Sequence, residues 1–154
     1  MIIVSACLAG VCCRYDGTSK INKDIMKLVA ERKAIPLCPE VLGGRKVPRE
    51  QVEIINGTGE DVIDGKAFVK DKNGNDVTEE ILNGVKEVVL TIERLGVKVV
   101  ILKTKSPTCG YGKIYDGTFS NVLKDGNGVL AAALKRKNIK ILTEENFIEF
   151  IDTF

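Results

Sequence analysis

Five cysteines and no histidine define the chemistry open to this chain. Cys7, Cys12 and Cys13 lie in the opening stretch SACLAGVCCRYDG, Cys38 stands in PLCPE and Cys109 in SPTCG. Without imidazole, Ser–His and Cys–His catalysis are excluded, and so is every zinc site that needs a histidine ligand. A general acid or base must be Asp, Glu, Lys, Tyr, Cys or a hydroxyl. In a reducing cytosol disulfides are rare, so clustered cysteines read as metal ligands or catalytic thiols, and an odd count argues against complete pairing. No C-x-x-C spacing is present, which weighs against a zinc knuckle and against dithiol redox chemistry. An iron–sulfur cluster accepts thiolates from separate loops. Any one of these cysteines alone reads best as a small buried apolar residue. Together they read as a site, because all follow apolar runs or lie in Gly- and Pro-rich loops, and none falls on the apolar face of an expected helix.

The elements that must position these thiols follow from the hydrophobic pattern. Residues 2–6 form an apolar strand that ends at Cys7. Asn22 caps a helix over 23–32 whose apolar face carries Ile25, Leu28 and Val29. Residues 34–37 form a second strand ending at Cys38, and 39–50, with two prolines and adjacent glycines, read as a long loop. The middle section (51–55 and 61–70, with a turn at 71–75) reads as small strands. Thr78 reads as the N-cap of a long helix closed by Gly96. A strand over 97–102 leads to Ser106 and Cys109, and a loop runs on to about Gly126. A helix over 129–137, a strand over 139–142 and a final helix capped by Thr143 complete the chain. Strands alternating with helices predict a single α/β domain over 1–154: a mostly parallel sheet flanked by helices, with a small β insertion in the middle. Ligands of such sheets bind outside the carboxyl ends of the strands. Cys7, Cys38 and Cys109 all stand at that end and can share one mouth.

A four-residue repeat adds to this pattern. Tyr15-Asp16-Gly17-Thr18 recurs as Tyr115-Asp116-Gly117-Thr118, each copy a few residues after a strand-end cysteine. Two similar Asp-Gly turns account for it. The sharper reading, which the plain turns slightly outweigh, is two loops facing each other across one ligand.

Composition narrows the function classes. Across 154 residues, 44% are apolar and 29% charged, and the net charge is +2. The pI is near 8.2 with no Lys/Arg block, so charge does not call for nucleic acid as a partner. No apolar run approaches the roughly 20 residues that span a bilayer, and residues 2–6 are too few for a secretory h-region. The expected location is the cytoplasm, with no membrane partner.

The segments SACLAGVCCRYDG, PLCPEVLGG with VPRE after it, and KTKSPTCG with IYDGTF after it resemble the thiouracil desulfurase family. The resemblance runs from about Val4 to the end of the chain. Here SPTCG replaces SPSCG, Ala9 replaces the second leucine of SACLLG, and Cys12 is additional. The resemblance implies a [4Fe–4S] cluster held by Cys7, Cys38 and Cys109, with Cys13 as the alternative to Cys7. Three ligands for four irons leave one iron open to a soft sulfur ligand. It further implies non-redox conversion of 2-thiouracil, a small thiolated pyrimidine, to uracil with release of hydrogen sulfide. Glu40, two residues after Cys38, is the first candidate for proton transfer; screened from water, it would shift toward neutrality. Ser106 would orient water or substrate. Arg14, Tyr15 and Asp16 would contact the pyrimidine. Each has a plainer reading as a cap, a turn or a loop anchor. Arg49 and Glu53 match family positions without a role of their own. The rival readings are desulfuration of thiouridine in tRNA, and a non-enzymatic metal-binding or redox-sensing module.

Overall fold

The computed structural model describes residues 1–154. The chain begins with β1 (Ile2–Ser5), a 3-10 helix (Ala6–Ala9), α1 (Lys23–Ala30), β2 (Ala34–Leu37) and α2 (Pro39–Leu42). The middle section holds β3 (Val52–Ile55), α3 (Gly59–Ile63), β4 (Phe68–Asp71) and the long α4 (Thr78–Leu95). Then come β5 (Val99–Leu102), β6 (Lys113–Tyr115), β7 (Leu123–Asp125), α5 (Val129–Arg136), β8 (Lys140–Thr143) and a closing 3-10 helix (Phe147–Thr153). β2, β1, β5 and β8 pair in that order into one parallel sheet, while β3–β4 and β6–β7 are antiparallel hairpins. This is the expected α/β architecture.

The sheet divides two cores. Side chains alternate across a strand. Ile3, Val100, Leu102 and Ile141 therefore face α4 and α5, whose Ile81, Val85, Val88, Ile92, Leu130 and Leu134 cover that side. Ile2, Val4, Ile101 and Leu142 face the other side, under Ile25 and Leu28 of α1 and Phe147. Burial on both faces explains why these strands are almost wholly apolar.

Local chemistry places the ends. The Asn22 side chain accepts from the amides of Asp24 and Ile25, as a helix cap should. Gly96 closes α4 in the left-handed conformation at φ 65°. Several local expectations change. Thr78 is the first residue of α4 rather than its cap: its hydroxyl accepts from the Val69 amide, and Asp76 accepts from the Thr78 amide instead. Residues 39–50 open with a helix, α2, started by Pro39, whose fixed φ suits a first turn. The middle section holds α3 beside its hairpin, and the loop before Gly126 holds the β6–β7 hairpin. Elements this short carry too few residues to display a period.

α2 is pressed backbone to backbone against α4. A Cβ added at Gly84 would sit 1.7 Å from the Pro39 carbonyl oxygen, and one at Gly43 would sit 1.9 Å from that of Glu80. The contact therefore admits glycine alone. Gly84→Ala should lower unfolding stability by about 3 kcal/mol or more through overpacking, whereas Lys86→Ala, on the exposed side of the same helix, should stay within about 0.5 kcal/mol. Chemical denaturation of the two variants measures this; equal, small effects would contradict the close contact.

Candidate metal centre

β1, β2 and β5 are neighbours in the parallel sheet, so the segments leaving their carboxyl ends meet at one edge. Cys7 lies in the 3-10 helix directly after β1, which Gly10 ends at φ 91°. Cys38 is the extended residue between β2 and α2. Cys109 lies in the loop after β5, which α5 holds by its free end. The first amides of a helix have no partner within it. Here Val129 and Leu130 donate to the carbonyls of Pro107 and Thr108, and Gly128 donates to Gly110 at 2.6 Å. A Cβ at Gly128 would meet the Thr108 oxygen at 2.6 Å, so glycine is required for this approach. The Ser106 hydroxyl accepts from the amides of Thr108 and Cys109 at 3.1 and 3.0 Å.

Cys7, Cys13, Cys38 and Cys109 all line a cavity of about 340 Å³, and all five cysteines are free thiols. Cys12 is exposed and does not line it. The Cys38 thiol donates to the Cys13 carbonyl at 4.0 Å. For Cys13, a hydrogen bond with Cys38 lowers the thiol pKa, but the Cys7 thiol and burial outweigh it and push it up to about 11. The Cys38 thiol is raised, first by its hydrogen bond with Cys13 and then by burial. Cys109 is raised by burial, against a hydrogen bond with Ser5 that lowers it. As neutral thiols these groups pack together; as thiolates they would repel unless a cationic centre lay among them. They are not gathered around a point where a single ion would bind. Soft donors spread around a cavity fit a multi-iron cluster better than one zinc ion.

Glu40, on α2, lines the same cavity. Its Oε1 accepts from Arg49 Nε at 3.0 Å, and its Oε2 accepts from the Thr108 hydroxyl at 3.2 Å. The carboxylate thus joins the end of β2 to the loop of Cys109, and it carries a counter-charge that the sequence pattern does not reveal. Ser106, Arg14 and Tyr15 also line the cavity. Asp16 does not; its Oδ1 accepts from the Thr18 amide and hydroxyl at 3.1 and 2.6 Å. Asp116 repeats that turn with Thr118 at 3.0 and 2.6 Å. The two aspartates are thus turn anchors of one design, while Tyr15 and Tyr115 both reach the cavity wall. Buried Glu53 fixes the second copy, accepting from the amides of Gly117 and Phe119. Lys20, Lys103 and Lys105 line the cavity as well, and motif and spacing do not single them out as site residues. The KTK directly before SPTCG is the one signal that points to two of them.

Residues 2–146 match the family model described as 2-thiouracil desulfurase. The chain belongs to the 2-thiouracil desulfurase family. It is 44% identical over 151 residues to YbbK, an uncharacterized protein of Bacillus subtilis (strain 168), covering 98% of this chain and all of that one. Its fold superposes on the solved structure of the [4Fe–4S]-dependent thiouracil desulfidase TudS with a TM-score of 0.86 at 37% identity, over 99% of this chain and 95% of that one. No helix of this family member is long and apolar enough to cross a membrane.

The paired turns give a test in acid. The Thr18 and Thr118 hydroxyls, aided by the amides of the same residues, hold Asp16 and Asp116 below the usual carboxylate range. A depressed folded-state pKa contributes stability that is complete above the unfolded value, about 4, and is lost as pH falls through the folded one. Asp116→Asn keeps an acceptor but cannot titrate. The denaturation midpoint of the wild type should therefore fall toward that of the variant as pH drops from about 5 to about 2.5. A constant offset over that range would contradict the role given to Asp116.

Proposed function

We propose that this chain is a cytoplasmic [4Fe–4S]-dependent thiouracil desulfurase: 2-thiouracil and water become uracil and hydrogen sulfide, with no net electron transfer. The carrying observation is that the thiols after three adjacent parallel strands open into one cavity in a chain of this family. Cys7, Cys38 and Cys109 would hold the cluster, with Cys13 as the alternative to Cys7. Bound by three thiolates, such a cluster supplies one open iron as a soft Lewis acid for the thiocarbonyl sulfur.

The side chains supply the rest. Glu40 accepts the proton of the attacking water; Arg49 and Thr108 occupy one oxygen each and fix its orientation. The Ser106 oxygen already accepts two amides, so its remaining hydroxyl hydrogen is free to donate to water or to the pyrimidine oxygen. Tyr15 and Tyr115 line the wall, and Arg14, whose guanidinium lies over the Tyr15 ring at 5.6 Å, offers donors. Asp16 serves the site indirectly, by shaping the turn that carries Tyr15. A cavity of about 340 Å³ is of the size that encloses a small molecule. That favours a free base over thiouridine within tRNA.

Protein whose cluster is rebuilt without oxygen should form uracil from 2-thiouracil, followed by chromatography, and release sulfide in equal amount. Serine in place of Cys7, Cys38 or Cys109 should abolish iron retention, while Cys13→Ser should retain iron. The reverse result for Cys7 and Cys13 would exchange their roles. With an intact cluster and no product, the binding-module reading would replace this one.

Glu40→Gln separates proton transfer from assembly. Iron content should survive while turnover falls on the order of 100-fold or more. Full turnover in this variant would remove Glu40 from the reaction.

A further inference from the structure

We infer that Arg49 is the positioning residue of this site, aligning Glu40 against the loop that carries Cys13 to Tyr15. The inference rests on the desulfurase reading for what Glu40 does, and on geometry alone for how Arg49 holds it.

The guanidinium is 7% exposed and the carboxylate 14%. Arg49 Nε donates to Glu40 Oε1 at 3.0 Å, Nη2 to the Cys13 carbonyl at 2.9 Å and Nη1 to the Lys46 carbonyl at 3.2 Å. The Arg49 amide donates to the Tyr15 carbonyl at 2.7 Å. One residue thus grips α2, the Cys13–Tyr15 loop and its own approach segment. Three acceptors in three directions need the planar fork of arginine; a lysine ammonium reaches them only by choosing among them. The neighbouring arginine does not duplicate this. Arg45 Nε lies 4.0 Å from the same carboxylate oxygen and has no hydrogen-bond partner, and its Nη2 is turned to the Glu50 carbonyl. Arg45 adds positive charge, whereas Arg49 adds direction.

Two side chains hold this half-buried carboxylate, Thr108 on Oε2 and Arg49 on Oε1, and of the two only Arg49 also ties it to the Cys13–Tyr15 loop. Displacement of a proton acceptor by about 1 Å costs on the order of 100-fold in rate. Arg49 acts through Glu40, so the two effects should not multiply.

The test is a double-mutant cycle with Arg49→Lys and Glu40→Gln in the full chain with its cluster rebuilt, read in two ways. In turnover, Arg49→Lys should lower kcat on the order of 100-fold with iron content unchanged, and the double variant should be no slower than Glu40→Gln alone within about threefold. In hydrogen exchange, Arg49→Lys should speed exchange of residues 11–18, since it loses the Nη2 bond to the Cys13 carbonyl, and Glu40→Gln, which weakens the charge that holds the guanidinium in place, should speed it less. Losses that multiply, wild-type kcat in Arg49→Lys, or unaltered exchange at 11–18 in both variants would each overturn the inference. If the wild type makes no uracil while the exchange coupling is present, the desulfurase reading fails and the Arg49 alignment of Glu40 stands.

Discussion

The contact on which the site depends is one where no side chain fits. Gly43 and Gly84 let the short helix after Cys38 lie directly on the long helix behind the sheet. A four-residue helix has little stability of its own, because nucleation is costly and few bonds repay it. Packing against α4 makes it a fixed platform, and the platform fixes the bearing of Cys38 and Glu40. The same device recurs at Cys109, where Gly128 lets the free end of α5 take hold of the Pro107 and Thr108 carbonyls. Both walls of the cavity thus hang on helices anchored by glycine contacts, not on the sheet alone.

Charge is arranged around these walls with one clear bias. Arg14, Lys20, Arg49, Lys103 and Lys105 line the cavity against the single carboxylate Glu40. Lys103 is itself paired with Glu144 at 3.0 Å, and Glu144 also accepts from the Thr104 amide at 2.8 Å. Thiols in the cavity bring negative charge when they ionise, and the cations lining it offset that charge. The nearly neutral whole-chain charge conceals this concentration.

What the sequence reveals tracks the strength of its local signals. α1 with its Asn22 cap and α4 with its Gly96 stop are legible because apolar period and end chemistry agree over many residues, and the four-residue β1 and β2 because each is a short apolar run that leads straight to a cysteine loop. The parallel sheet, and with it the common edge for Cys7, Cys38 and Cys109, comes from their alternation. α2, α3 and the β6–β7 hairpin are not legible, since three to five residues cannot display a period. Thr78 misleads because Val69, on a neighbouring strand, claims its hydroxyl. Arg49 has no role visible in the sequence because its partners, Cys13, Tyr15 and Glu40, become its neighbours only when three loops meet. The repeat is half legible: aspartate as a turn anchor is local chemistry, but the convergence of Tyr15 and Tyr115 on one cavity is tertiary.

The cavity takes its thiols from segments after the first, second and fifth strands, and the last of these loops is held by α5, near the end of the chain. No stretch of the chain holds a C-x-x-C pair that could grip iron during synthesis, as a zinc knuckle grips its ion. The sheet must close and α5 must dock before the mouth exists. The thiols are thus gathered by the whole fold, through the sheet and through α5, and not by a local knuckle.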